Sequence, residues 1–316
     1  MGFVLKRVAT SLALIWLVAS IVFLVIRLVP GDPAEMLLSQ GGVAPDPAAV
    51  AALREQLGLD RSVGAQYLLN FRQLLHGDLG QSLEDESSVA ADIGQRLPRT
   101  LELIGAATIF AVLLGVPGGM LAALRRGGGI DRVAAVLAAF ALALPVFVTG
   151  TLMVLLFAQT LHWVPAGGSV DFAADPGRHL LLLAMPAITI GLGLTASVFR
   201  MTRAAVLDVS QHDYVRTAHA KGVRSGRVWL HHILRNALTP IVTVIALNLG
   251  TLLGGTVLVE YVFNYPGISG LLVDAVNARD YPMVQGVVLV ISILLVLLNL
   301  GVDLLYAVLD PRVRHA

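Results

Sequence analysis

Residues His212 to Asn236 read HDYVRTAHAKGVRSGRVWLHHILRN, with four arginines, one lysine and four histidines against a single aspartate. Both flanks are apolar, Leu180 to Phe199 before the stretch and Ala237 to Val259 after it. Each flank is long enough to cross a hydrocarbon core, which takes about 20 residues of helix. A basic piece between two such runs stays in water while its neighbours enter lipid. The fold is then decided by where the other apolar runs lie.

Four more occur, near Val8 to Val29, Leu101 to Leu124, Val133 to Thr160 and Val284 to Leu309, which makes six predicted spans. Composition agrees: 56 % of residues are hydrophobic and 14 % charged, against roughly 25 % charged in a soluble domain. Mean hydropathy is +0.79. The expected fold class is an all-α polytopic membrane protein, with residues 1–316 forming one transmembrane domain. Lys6 and Arg7 resemble the n-region of a signal peptide. The apolar run behind them exceeds the roughly 7 to 15 residues of an h-region and no small-residue cleavage site follows, so a retained span is expected.

Charge sets the orientation. With the N-terminus inside, 14 of the 22 Lys and Arg face the cytoplasm: Lys6, Arg7, Arg125, Arg126, Arg132, seven from Arg200 to Arg235, Arg312 and Arg314. The short external loops hold only Arg178 and Arg279. Most other basic residues belong to a long first external segment, to which the positive-inside rule applies weakly. Both termini are therefore expected inside. Cysteine is absent, which excludes disulfides, thiolate metal sites and cysteine nucleophiles.

The external segment, residues 30–100, carries helix signals. In DPAAVAALREQLGLD, Asp46 can cap, Pro47 suits the first helical position and Gly58 can stop the helix. In RSVGAQYLLNFRQLL, Val63, Tyr67, Phe71 and Leu74 recur every three or four residues before Gly77. These helices are expected to lie on the outer membrane face or on each other, as a small cap or as a docking surface for a soluble partner.

The cytoplasmic loop, residues 200–236, has its own pattern. Asp213 can cap a short helix from Tyr214 to Lys221, and Gly222 can end it in a left-handed turn. Tyr214, Ala218 and Lys221 share a stripe, and small Thr217 and Ala218 leave room for another surface. A second helix from Ser225 to about Arg235 would turn Val228, Leu230 and Ile233 toward the membrane-facing body. A loop that served the charge rule alone would rest on anionic headgroups and would need no such sequence of helix, glycine turn and helix.

Other chemistries lack their residues. His212 and His219 have only Asp213 as a nearby carboxylate, and no zinc motif is present, so no metal site is expected. The two lysines, Lys6 and Lys221, precede Arg7 and Gly222, which excludes a P-loop. No G-x-S-x-G occurs. Asp303, one turn after Asn299, is read as the only carboxylate well inside a span. It either reaches the interface near Asp310 and Arg312, the favoured reading, or serves a proton relay. A self-contained carrier would show more mid-membrane charge and a repeated half.

Gly115 with Gly119, and Gly250 with Gly254, have the spacing that lets helix backbones approach. Pro117 and Pro145 are predicted kinks. Thr239, Thr243, Asn248, Thr251 and Thr256 make the fifth span the expected pathway-lining helix, with Thr243, Asn248 and Thr251 as candidate lining residues.

DYVRTAHAKG (Asp213 to Gly222) followed by HHILRNALTP (His231 to Pro240) resembles the cytoplasmic signature loop of permease subunits of binding-protein-dependent ABC importers, in the branch serving dipeptides, oligopeptides and nickel. Further stretches are similar to that branch's B-type permease: VPGDPA (Val29 to Ala34), GDLGQS (Gly77 to Ser82), RLPRTLEL (Arg96 to Leu103), VEYVFNYPGISG (Val259 to Gly270) and DLLYAVLDPRVR (Asp303 to Arg314). Against the superfamily pattern E-A-A, three residues, glycine, nine residues, I-x-L-P, only Ala218, Gly222 and Leu234 agree. Arginine at the first position and a missing tail proline suit the peptide branch.

The resemblance implies a type I importer in the bacterial cytoplasmic (inner) membrane. Its partners would be a second related permease, two ABC ATPases and an external substrate-binding protein, with no nucleic acid. ATP and Mg would be bound by the ATPases, and this chain would hold no cofactor and catalyse no reaction. Asp213, Tyr214, Arg216, Thr217, Ala218, Lys221, Gly222 and Arg224 would form the coupling loop lodged in an ATPase. Peptides are the expected substrate, with nickel or another small solute as the alternative.

Overall fold

The computed structural model describes residues 2–28, 33–38, 46–56 and 58–309. Val29 to Asp32 and Asp310 to Arg314, which belong to two of the quoted stretches, lie outside the described residues, as does the side chain of Asp303.

The helices in chain order are α1 (Gly2–Leu28), α2 (Pro33–Leu38), α3 (Pro47–Gln56), α4 (Val63–Leu75), α5 (Val89–Leu124), α6 (Gly129–Ala143), α7 (Val146–Met153), α8 (Pro176–Val209), α9 (Asp213–Ala220), α10 (Ser225–Arg227), α11 (Arg235–Val262), α12 (Ile268–Ala278) and α13 (Tyr281–Leu309). π-helical turns extend α7 over Val154–Thr160 and join α10 to α11 over Val228–Leu234. Among the described residues the sole β-type pairing is one bridge between Gln81 and Ser88.

Among the described residues, five helices are long and apolar enough to cross a membrane: Leu5–Val25 within α1, α5, α8, the continuous Ser225–Val262 and Tyr281–Val302 within α13. The sixth predicted run is broken. Gly129–Ala143 and Val146–Thr160 meet at 103°. The break sits where the sequence demands it, because Pro145 precedes α7 and disfavours helical geometry at Leu144, whose ψ is 127°. Pro117, by contrast, lies inside an unbroken α5.

The chain forms two compact units, residues 1–97 with 271–296 and residues 98–270 with 297–316. In the first, the helix after Asp46 begins as expected, and both external helices stop before their expected glycines. Asp46 Oδ1 accepts from Ala48 N at 3.0 Å, Ser62 Oγ caps α4, and Gly58 and Gly77 take positive φ of 66° and 75°. α4 lies on α1. The Tyr67 and Ser20 hydroxyls are 2.8 Å apart, and the Arg27 guanidinium covers the Phe23 ring while donating to Gln66 Oε1 at 2.6 Å. Buried Ser82 donates to Asp280 Oδ2 at 2.5 Å, and Asp280 Oδ1 accepts from Met283 N at the start of α13. The GDLGQS stretch is thereby fixed to that helix.

The second unit centres on α8, whose buried residues run from His179 to Val206. α11 and α6 pack on it. Gly115 and Gly119 of α5 touch it closely: a β-carbon at Gly119 would stand 2.6 Å from the Phe199 carbonyl oxygen, and one at Gly115 2.9 Å from Val198 Cβ. A β-carbon at Gly254 would meet nothing within 4 Å. The small-residue expectation thus holds for the first pair, and Gly254 makes no such approach. Gly119→Ala is expected to lower stability by about 1–3 kcal/mol through overpacking, and Gly254→Ala to raise it by about 0.5–1 kcal/mol through helix propensity, as thermal aggregation of the purified protein would register.

Candidate functional site

Between α8 and the Ser225–Val262 helix the chain makes a stiff elbow. α9 starts one residue earlier than expected: His212 holds the extended cap position with ψ 146°, without a side-chain cap, and Asp213 is the first helical residue. Asp213 instead lies 3.6 Å from Arg216 across one turn, both fully in solvent. Such an exposed pair adds little stability.

The far end is a Schellman closure. Gly222 N donates to His219 O at 2.9 Å and Val223 N to Ala218 O at 3.2 Å, with Gly222 at φ 74°. No atom lies within 4 Å of a β-carbon added at Gly222, so backbone conformation alone asks for glycine.

α9 divides cleanly. Val215 and Ala218 are buried, and α9 rests on the π-helical turn. Asp213, Tyr214, Arg216, Thr217, Lys221 and Arg224 are exposed. Ala218 therefore anchors the elbow inward instead of sharing the outer stripe predicted for it. Asn236 Nδ2 donates to both Tyr214 Oη (3.0 Å) and His232 O (2.7 Å), tying α9 to the start of α11. Of the three apolar residues expected inside, Val228 and Ile233 are buried and Leu230 is 58 % exposed. Leu230 stands two residues from Val228, which puts it on nearly the opposite side of the helix and off the inner face. Among the described residues no three His, Cys, Asp or Glu cluster as metal ligands.

A second site lies at the opposite end of α11. Glu260 is 1 % exposed, inside a helix that runs to Val262, so Asp303 is not the lone carboxylate of the spans. Glu260 Oε1 accepts from Thr100 Oγ1 at 2.7 Å, and Oε2 accepts from Ser269 N and Gly270 N at 2.9 and 3.0 Å. Thr100 Oγ1 in turn accepts from Ile268 N at 2.9 Å. One carboxylate thus joins α5 and the end of α11 to the first turn of α12. Gly267 is obligatory here, since a β-carbon would collide with the Glu260 carboxylate.

Two residues further along α5, Glu102 Oε1 lies 2.6 Å from His179 Nε2, and His179 Nδ1 lies 2.6 Å from Val170 O. Tyr265 donates to Glu102 Oε2 at 3.4 Å, and its burial, reinforced by Glu102, pushes its phenol above the ordinary range. It stays protonated and remains a donor. The predicted lining residues are less concerted. Thr243 and Asn248 are half-buried and Thr251 exposed, while Asn248 Nδ2 donates to Val244 O of its own helix. Thr256 belongs to packing, 3.0 Å from Ser269 Oγ.

Residues 115–315 match the family model for the binding-protein-dependent transport system inner membrane component, and residues 1–104 match the model for the N-terminal part of such membrane components. The chain belongs to this family. It is a multi-pass inner membrane subunit of an importer. The glutathione transport system permease protein GsiC of Salmonella choleraesuis (strain SC-B67) is 40 % identical over 315 residues, covering 100 % of this chain and 99 % of the relative. The di/tripeptide transport system permease protein DppB of Pseudomonas aeruginosa (strain UCBPP-PA14) is 38 % identical over 338 residues, again covering 100 % and 99 %. The fold is that of a type I permease: an inward-facing MetNI methionine ABC transporter structure matches with a TM-score of 0.58 at 16 % identity, over 69 % of this chain and 96 % of that one.

Proposed function

We propose that this permease forms half of a pathway for di- or oligopeptides handed over by an external binding protein, and that its elbow, Asp213 to Arg224, couples the pathway to an ABC ATPase. The second half would be a related permease, and ATP and Mg would be held by two ATPase subunits. The chain itself would be a non-catalytic membrane subunit carrying no cofactor or metal. Relatives named for glutathione and for di/tripeptides support a peptide substrate; nickel or another small solute is the alternative. Thr243, Asn248 and Thr251 are the proposed lining residues.

The observation that carries the coupling assignment is the division of α9 into a buried anchor and an outer row of Asp213, Tyr214, Arg216, Thr217 and Lys221. A helix held rigidly from within, with its outward groups left in solvent, can pass displacement from a partner to the spans. Closure of the ATPase dimer on ATP would push the elbow and tilt the spans outward, and hydrolysis would reset them.

The chain has no cysteine, so a single introduced one reports a single contact. Thr217→Cys is expected to cross-link in membranes to an engineered cysteine on the ATPase, with a yield that changes when ATP is added. Cross-linking to no ATPase position in an assembled, active complex would remove the assignment.

A further inference from the structure

The hairpin between α5 and α6 is a second basic surface, unrelated to the elbow. It reads RRGGGIDR, Arg125 to Arg132. Its acid is fully engaged: Arg203 of α8 grips Asp131 with Nε to Oδ1 at 2.6 Å and Nη2 to Oδ2 at 2.8 Å. Gly127 N adds a bond to Oδ2 at 2.9 Å, with Gly127 at φ 76°. The turn is closed again by Gly128 N on Arg125 O at 2.9 Å. Asp131 therefore fixes the hairpin to α8, its charge paired directly with Arg203 and acting on Arg126 only through space.

Arg125, Arg126 and Arg132 are all exposed, and among the described residues none of the three guanidinium groups has a hydrogen-bond or ion-pair partner. Directly beside them the helices turn large apolar side chains outward, Leu121 and Leu124 on α5 and Val133, Val136, Leu137 and Phe140 on α6. On spans of a membrane protein such faces meet acyl chains. With the N-terminus inside, the hairpin is cytoplasmic. Three exposed guanidinium groups with no direct ion-pair partner, at the edge of an acyl-chain surface, have the chemistry of a phosphodiester site, since arginine binds phosphate oxygens in forked pairs.

We propose that the Arg125–Arg132 hairpin binds the headgroup of an anionic phospholipid of the inner leaflet, whose acyl chains lie along α5 and α6. Each arginine near an anionic surface contributes about a fivefold preference, so three give about a hundredfold. The site is rigid before the lipid arrives, because the Asp131–Arg203 fork has already fixed the turn.

The test uses the purified full-length chain in detergent, titrated with phosphatidylglycerol or with phosphatidylcholine and followed by native mass spectrometry. Wild type is expected to retain phosphatidylglycerol preferentially, and Arg125→Gln/Arg126→Gln/Arg132→Gln to lose most of that preference. A control of equal charge, Arg61→Gln/Arg72→Gln/Arg178→Gln, should retain it. Equal retention by the hairpin variant, or equal loss by the control, overturns the proposal. So does displacement of the lipid by millimolar inorganic phosphate, which would make this a site for the free anion. Loss of ATPase assembly with lipid retention intact would assign the hairpin to a protein partner and overturn it too. If the triple variant fails to insert, Arg126→Gln alone is compared with wild type across a salt series. Phosphatidylglycerol retention that ignores both salt and that substitution overturns the assignment.

Discussion

A Gly222→Val permease is expected to reach the membrane, assemble, and lose most of its substrate uptake while the complex goes on hydrolysing ATP. At φ 74° the backbone of residue 222 is in the left-handed region, which costs an L-residue about 1–2 kcal/mol and a β-branched one more. Space is not the obstacle, since nothing approaches the added β-carbon within 4 Å. The strain is relieved only by giving up the bonds from Gly222 N and Val223 N that close α9. α9 then frays where it must transmit force, and its buried anchors at Val215 and Ala218 remain to hold the fold. Uptake is expected to fall about tenfold, the factor that 1.4 kcal/mol represents. Gly222→Ala should fall between the two. Uptake and ATP hydrolysis measured side by side in proteoliposomes decide the matter, and normal uptake by the valine variant would disprove the elbow's role.

The second large effect is on stability. Glu260→Ala leaves the Thr100 hydroxyl and the Ser269 and Gly270 amides without their acceptor in a buried place. A buried donor stripped of its partner costs about 1–3 kcal/mol, so the loss should reach about 3 kcal/mol or more. Glu260→Gln is not conservative here, because all three partners are donors and an amide must turn its NH2 toward one of them. Thr100→Val should cost less than Glu260→Ala, since the carboxylate keeps its two backbone donors. Thermal unfolding of the purified protein, together with its level in the membrane, would show the order Glu260→Ala, Glu260→Gln, Thr100→Val. A Glu260→Ala protein that melts with wild type would mean that water already reaches these groups.

What could be read from the sequence was local. Asp46, Gly58, Gly77 and Gly222 set their turns through their own backbone preferences, and each holds the conformation expected of it. The spans were legible because about 20 apolar residues have few other uses. The elbow was legible for the same reason, as a polar interruption with helix signals on both sides. The departures there were small: the cap fell on His212 because the chain there is already extended, and Leu230 faces outward because it stands two residues from buried Val228, on the other side of the helix. Glu260 was missed for a physical reason. The fifth apolar run stops at Val259, so the next residue reads as interfacial, yet α11 continues to Val262 and its partners lie on other helices. The pairing of Arg203 with Asp131, 72 residues away, was hidden likewise.

That distance in the chain has a consequence during synthesis. Thr100 and Glu260 are 160 residues apart, and Ser269 and Gly270 follow nine and ten positions later. At the usual pace of translation, roughly ten to thirty seconds separate the two ends of this clasp. The spans made first therefore wait in the bilayer with Thr100 lacking its acceptor until the ribosome has passed residue 260. A product stalled before residue 260 would keep that hydroxyl without its carboxylate for good.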